Sequence, residues 1–198
     1  MSADAAQPVE IRPRGGPTAA ITRTQSLIWT SQRLHPDVPL ANMGKRFRIS
    51  GAIEVDRFVT AFDTVVRACD VLRAVIVEGQ PGPGPAGAVG PAARIHDAPP
   101  ATTEVIDLPL AELDEWCAQR ISVPIDATSC MYDSVLLRHA DDDWTWWLDL
   151  HHVATDAWSS ALIFEATATA YEQTDPASEG GVDLGSVIDG SFFEHAAR

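Results

Sequence analysis

Apolar residues along the chain fall into short stretches whose spacing alternates between helical and strand-like. From 55 to 72, Phe58, Val59, Phe62, Val65, Val66 and Cys69 recur with a period of about 3.6, which predicts a helix with one apolar face. An earlier helix is predicted where Thr24 offers an N-cap and Leu27, Ile28 and Leu34 follow at helical spacing as far as Pro36. Between 43 and 49, Phe47 and Ile49 alternate with Arg46 and Arg48, which predicts a strand that Gly51 ends. Residues 72 to 77 form a short apolar run and read as a strand, as do Val105 and Ile106, and 110 to 121 read as a short helix containing Trp116. The stretches 132 to 139 and 144 to 150 flank the acidic turn Asp141-Asp142-Asp143 and predict a β-hairpin. A helix follows from about 158 to 171, and 187 to 197 reads as a short helix with Phe192 and Phe193 on one side. Hairpin strands mixed with helices make an α+β two-layer sandwich the expected architecture.

Punctuation in the chain sets the boundaries. Pro8, Pro13, Gly15, Gly16 and Pro17 mark residues 1–18 as a flexible leader, 19–172 carries the periodic elements, and 173–198 opens as a linker rich in Asp, Ser and Gly. The Pro/Gly run from 80 to 87 is a flexible surface loop, and the lack of lysine, serine or threonine near its end argues against a phosphate cradle. No internal repeat is visible.

Composition narrows the possible functions. With 198 residues, 45% apolar and 21% charged, the chain is long enough for one globular domain with its own core. A formal net charge of -14 sets it against phosphate backbones, so nucleic acid is not expected as a partner. Cys69, Cys117 and Cys130 are odd in number and fit no metal knuckle or disulfide framework, which suits a reducing cytoplasm. The N-terminus has neither a basic start nor an apolar run, and no stretch approaches the roughly 18 apolar residues of a membrane span. A cytoplasmic protein without membrane contact is the expectation.

The segment Leu150-His151-His152-Val153-Ala154-Thr155-Asp156-Ala157-Trp158-Ser159 carries the candidate chemistry. It puts two histidines at the end of an apolar strand, a tight loop after them, and an aspartate where a helix opens. Histidine is the side chain suited to proton transfer near neutral pH, and a strand terminus can hold it firmly with its tip in a cleft. Other uses stay open on the residues alone. Paired histidines can be core residues, His152 and Asp156 can ligate a metal, and Asp156 can simply cap the helix. No His or Cys cluster nearby completes a coordination sphere, which weighs against metal. Trp144, Trp146 and Trp147, at strand spacing, read first as core or cross-strand pairs.

The segment resembles the H-H-x-x-x-D-G signature of condensation domains of nonribosomal peptide synthetases, within the chloramphenicol acetyltransferase-like superfamily. Other motifs follow in the family's order over roughly 20 to 172. Thr22, Gln25, Ile28 and Trp29 followed by Leu34-His35-Pro36 are similar to the opening T-x-x-Q-x-x-I-W … L-x-P. Ile49-Ser50-Gly51-Ala52-Ile53 with Ala61-Phe62 resembles a strand-to-helix step, and Val71-Leu72-Arg73 the end of R-H-E-x-L-R. Asp126 and Tyr132-Asp133-Ser134-Val135-Leu136 follow the order of the later strands. The chain departs from the family at Ala157, where glycine is usual, and at Ala68-Cys69-Asp70, where Arg-His-Glu is frequent.

The resemblance implies the N-terminal lobe of a chloramphenicol acetyltransferase-like fold, with 173–198 leading toward a second lobe. It implies an acyltransferase that joins carrier-bound acyl or aminoacyl thioesters to an amine or hydroxyl. His152 would be the catalytic residue, His151 and Asp156 would support its loop, and Arg73 would pair with Asp156. No cofactor would be held by the chain itself, because the substrates ride on phosphopantetheine arms of carrier proteins. Carrier proteins and a C-terminal lobe, in the same or a separate chain, are the implied partners. A lone lobe would bare an apolar wall, so self-association into a homo-oligomer is a further expectation. The leader opening on Met1 favours a natural N-terminus. A non-catalytic module that docks a carrier protein or completes a partner lobe is the alternative.

Overall fold

The structure is a computed structural model that describes residues 18–81, 89–174, 182–185 and 187. Most of the expected leader and linker, the loop from 82 to 88, and the helix expected at 187–197 apart from Val187 lie outside the described residues. Seven strands and four helices occur among those described: β1 Thr18–Ala20, α1 Arg23–Leu34, β2 Lys45–Ser50, α2 Val55–Ala68, β3 Ala74–Pro81, β4 Val89–Ile95, β5 Glu104–Asp107, α3 Leu113–Ile121, β6 Tyr132–Ala140, β7 Asp143–Leu150 and α4 Ala157–Gln173.

The expected hairpin is β6–β7, and it forms the middle of a four-stranded sheet ordered β2-β7-β6-β5, in which β5 alone runs parallel to its neighbour. A smaller antiparallel sheet is ordered β1-β4-β3. Along β7, Trp144, Trp146, Leu148 and Leu150 join the core beneath α2 and α4, while Trp147 meets Leu113 and Cys117 of α3 on the other face. The α+β expectation holds, with α3 adding cover behind the two-layer sandwich. Trp146 lies at the centre of the main core, its ring 5.2 Å from Phe58, 5.4 Å from Phe62 and 4.6 Å from Phe164, near-perpendicular or steeply tilted in each pair as aromatic quadrupoles prefer. All three tryptophans of β7 are buried, so the packing reading applies to each.

Four differences from the sequence reading have local causes. The helix expected to reach 72 stops at Ala68, and a 3-10 turn over Asp70–Arg73 leads into β3. The N-cap of α1 is Thr22 rather than Thr24, in a full capping box with Gln25. The inward face of α1 is Gln25, Trp29 and Gln32, whereas Leu27 and Leu34 are exposed. Polar residues go inside there because each glutamine finds backbone partners. Gln32 donates to the carbonyls of His35 and Val38 and accepts from the Ala41 amide. Finally, β1 and β4 were not foreseen. β1 is three residues long, and β4 carries Gly90 and Pro91, which argue against a strand. Pro91 is tolerated because it falls where the β3–β4 register shifts, opposite a bulge containing Gly79 at φ 76°, so its missing N–H costs no ladder bond.

Gly44, just before β2, lets the backbone pass close to Ile121 and Trp147. A Cβ there would stand 2.5 Å from Cδ1 of Ile121 and 2.6 Å from Cη2 of Trp147. Gly44→Ala should therefore overpack the α3 interface and cost about 1–3 kcal/mol in urea unfolding. An unchanged midpoint would show that α3 moves away freely.

Candidate functional site

After Leu150 the chain stays pinned while it leaves the sheet. His151 forms a single antiparallel bridge with Asn42. Its amide donates to Met131 O at 2.9 Å, and the amide of Ala154 donates back to His151 O at 2.9 Å, closing a tight turn. The His151 ring is wholly buried and its Nδ1 accepts from the Val153 amide at 3.1 Å, which puts the ring proton on Nε2, where no partner stands. Burial, reinforced by the neighbouring His152 and opposed by Asp126, brings its pKa down to about 4. His151 is thus a neutral structural ring whose own turn uses its lone pair.

His152 is built the opposite way. Its amide donates to Ala41 O at 2.7 Å, while the residue as a whole is exposed. Nδ1 lies 2.7 Å from the Thr155 carbonyl oxygen. A carbonyl can only accept, so Nδ1 carries the proton and Nε2 is left with a lone pair. Val153, Ala154 and Thr155 are buried beneath it, and the Val153 carbonyl takes a 2.8 Å hydrogen bond from the side-chain amide of Gln25, 128 residues away in sequence. The result is one exposed imidazole on a loop whose backbone is tied to α1, to the segment before β2 and to the segment before β6. Chemically it can take a proton at Nε2 while Thr155 stabilises the imidazolium through Nδ1.

Asp156 caps α4, its Oδ1 accepting from the Ser159 amide at 2.7 Å and from the Ser159 hydroxyl at 2.8 Å. The Ser159 amide, then its hydroxyl, hold this carboxyl below the usual carboxylate range. The expected ion pair with Arg73 is not formed. Arg73 donates instead to the carbonyl of His96, whose amide returns a bond to Arg73 O, so it clasps β3 to β4; its buried Nε has no partner. A helix start already supplies Asp156 with fixed donors, so a buried cation is not needed to hold it. Ala157, in place of the family's glycine, is the first residue of α4 with ordinary helical backbone, and no residue other than glycine among those described has a positive φ. The described residues contain no group of three or more His, Cys, Asp or Glu placed to hold a metal ion.

Two contributors, Gln25 and Asn42, have no site role in the sequence reading, where Gln25 stands only as part of the T-x-x-Q opening. Gln25 was readable in part, since Thr22-Arg23-Thr24-Gln25 fits the capping-box pattern, but nothing local points to its bond with Val153. Asn42 donates to Val123 O and to Asp149 Oδ2, both at 2.8 Å, and accepts from the Ile125 amide at 3.1 Å. Asp149 is 1% exposed, its Oδ1 lacks a partner, and burial raises its pKa to about 7. A separate apolar groove of about 500 Å³ lies between β2, α2 and α4, lined by Phe47, Ile49, Phe58, Trp146, Phe164 and Tyr171. Trp146 is six residues back along the chain from His152, or about 20 Å of strand, so this groove is not part of the histidine site.

Comparison with known proteins gives a consistent result. The family model of the Condensation domain matches residues 17–180. The chain is 31% identical over 173 residues to the isonitrile lipopeptide synthase of Streptomyces coeruleorubidus, covering 83% of this chain and 11% of that protein. It is 25% identical over 158 residues to the dimodular nonribosomal peptide synthase of Bacillus subtilis (strain 168), covering 77% of this chain and 6% of that one. The crystal structure of the starter condensation domain of rhizomide synthetase RzmA matches with a TM-score of 0.77 at 25% identity, over 92% of this chain and 44% of that chain. A mutant of that domain in complex with C8-CoA and Leu-SNAC matches with a TM-score of 0.71 at 27% identity, over 91% of this chain and 41% of that chain. The chain therefore spans less than half of these solved domains and a small part of the curated relatives.

The capping role makes Asp156→Ala cost about 0.5–2 kcal/mol, while Asp156→Asn, which still caps, should leave the melting temperature nearly unchanged. A large loss for both would require a partner other than Ser159. Asp149 gives a pH signature. Its folded pKa, about 7, lies above the ordinary 3.8, so the folded state holds a proton that the unfolded state releases between those values. Wild-type stability relative to Asp149→Asn should fall as pH rises from about 4 to 7 and level off above, because His151 is common to both proteins and cancels. Parallel stability curves in urea titrations across that range would show that Asp149 titrates normally.

Proposed function

The chain belongs to the Condensation domain family, and from that we propose that it is one lobe of an acyltransferase acting in nonribosomal peptide or related natural-product biosynthesis. Its α+β fold is chloramphenicol acetyltransferase-like. The observation that carries the proposal is the state of His152: an exposed ring whose Nδ1–H is committed to Thr155 and whose Nε2 is free.

The reaction such a ring suits is attack of an amine or hydroxyl on a thioester carbonyl. Nε2 of His152 takes the proton from the attacking nitrogen or oxygen as its bond to the carbonyl carbon forms. The carbon–sulfur bond then breaks, and the departing thiolate receives that proton as a thiol, leaving an amide or ester. His151 keeps the turn rigid and uncharged, and Asp156 sets the start of α4. The thioesters are substrates delivered on phosphopantetheine arms of carrier proteins, so this chain need hold no cofactor of its own.

The site is open on one side. The chain corresponds to 44% of the solved starter domain, and Leu40 and Trp158 are exposed at 53% and 74%, Leu40 beside Ala41, whose carbonyl takes the His152 amide, and Trp158 at the start of α4 just after the histidine loop. A second lobe facing His152 would bury such residues, exclude water and bring two thioester arms into one geometry. Self-association is the alternative way to cover the same wall.

The test is acyl transfer between carrier-bound donor and acceptor, measured for the chain alone and with a second-lobe chain added. Turnover should require the second lobe, and His152→Ala should lower it about 10²- to 10⁴-fold, the usual worth of a general base. His152→Ala within a few-fold of wild type would remove His152 from the chemistry. Turnover by the chain alone would mean that one lobe is a complete site. No turnover with any lobe supplied, but retained binding of a carrier protein, would make the chain a docking module.

A further inference from the structure

We propose that Gln25 is a positioning residue for His152, holding the loop in the one conformation that keeps the ring proton on Nδ1. This rests on reading His152 as the base, because the lone pair matters only if Nε2 does the chemistry. Which nitrogen of an imidazole carries the proton is set by the hydrogen bond the other makes. For His152 that bond runs to the carbonyl of Thr155, three residues on, at 2.7 Å. It exists only while the turn from 152 to 155 keeps its shape, and the peptide in the middle of that turn ends in the Val153 carbonyl.

Gln25 holds that carbonyl. Its Nε2 donates to Val153 O at 2.8 Å, and its Oε1 accepts from the Thr22 amide at 2.8 Å, which fixes which way the side-chain amide faces. The residue is 7% exposed, so water is a poor substitute for either partner. Gln32, two turns further along the same face of α1, binds the amide of Ala41, whose carbonyl in turn takes the His152 amide. Helix α1 therefore grips both sides of the histidine: directly at Val153, and through Ala41 at the His152 backbone. A buried polar face on α1 is otherwise an odd choice, since Leu27 and Leu34 are left in solvent. Orientation of the loop explains it.

Removing the donor leaves a buried carbonyl unmatched. The peptide after Val153 then turns to find another partner, and the Thr155 carbonyl leaves Nδ1. The test is the tautomer itself, read by nitrogen–proton correlation spectra of the ¹⁵N-histidine-labelled chain at a pH where the ring is neutral, with His152 assigned through His152→Asn. Wild type should show the Nδ1–H form. Thr22→Ala deletes the cap hydroxyl but keeps the backbone amide that orients Gln25; it should melt earlier yet keep that form. Gln25→Leu should shift His152 to the Nε2–H form or to exchange between the two, with His151 unchanged. Gln25→Glu, which retains the acceptor toward Thr22 and, when ionised, sets an acceptor in place of the donor toward Val153, covers the case in which the leucine variant does not fold, and should show the same shift. A His152 signal that stays in the Nδ1–H form in Gln25→Glu or in folded Gln25→Leu would overturn the proposal, reducing Gln25 to a helix cap. Because this readout needs no turnover, it stands apart from the His152→Ala assay, whose failure would remove the base and leave the tautomer result intact.

Discussion

The loop after β7 must be buried along its backbone and bare at one ring, and the rest of the lobe is arranged around that requirement. A loop sunk into a core has peptide groups that water cannot reach, so each needs a partner from the protein. Here the amides of His151 and His152 go to Met131 and Ala41, the Val153 amide goes to the His151 ring, and the Val153 carbonyl goes to Gln25. The partners come from three separate stretches of chain and from the loop itself. A loop held at that many points has little freedom left, and that is what lets the exposed ring keep a fixed tautomer and direction.

The two histidines show how burial divides labour between identical side chains. His151 is in the core, where desolvation keeps it uncharged and its lone pair is consumed by the turn. His152, one residue on, has its lone pair free because its proton is consumed instead. Two residues before them, Asp149 is subject to the same desolvation with the opposite sign, favouring its protonated form. Burial thus pushes both His151 and Asp149 toward their uncharged forms, although the chain as a whole carries -14.

The sheet explains why the site sits at an edge of the lobe. β7 is central and covered on both faces, so its end is the rigid point from which a loop can project. β2 and β5 are outermost in their sheet, and α1 turns polar residues inward and leucines outward. Those features fit one lobe of a larger site. The match to less than half of each solved condensation domain fits it as well.

Local pattern decided much of the fold. The 3.6-residue period of α2, the hairpin around the acidic turn, α3, α4 and the alternation in β2 were legible because each buries a regular face, and the two histidines with Asp156 stood out as a motif on the same hairpin. Where residues answer to distant partners, pattern failed. α1 was read with its leucines inward, because nothing in its own sequence says that Gln25 and Gln32 will meet carbonyls and amides from other segments. β4 was lost behind Pro91, which only the bulge in β3 makes acceptable. Arg73 was matched to Asp156 by motif, yet an ion pair depends on where two charges end up in space, and each found nearer partners. Residue type and spacing determined which ring could handle a proton. Tertiary contacts alone decided which nitrogen of that ring is free, because a tautomer is set by a partner's position and not by the residue itself.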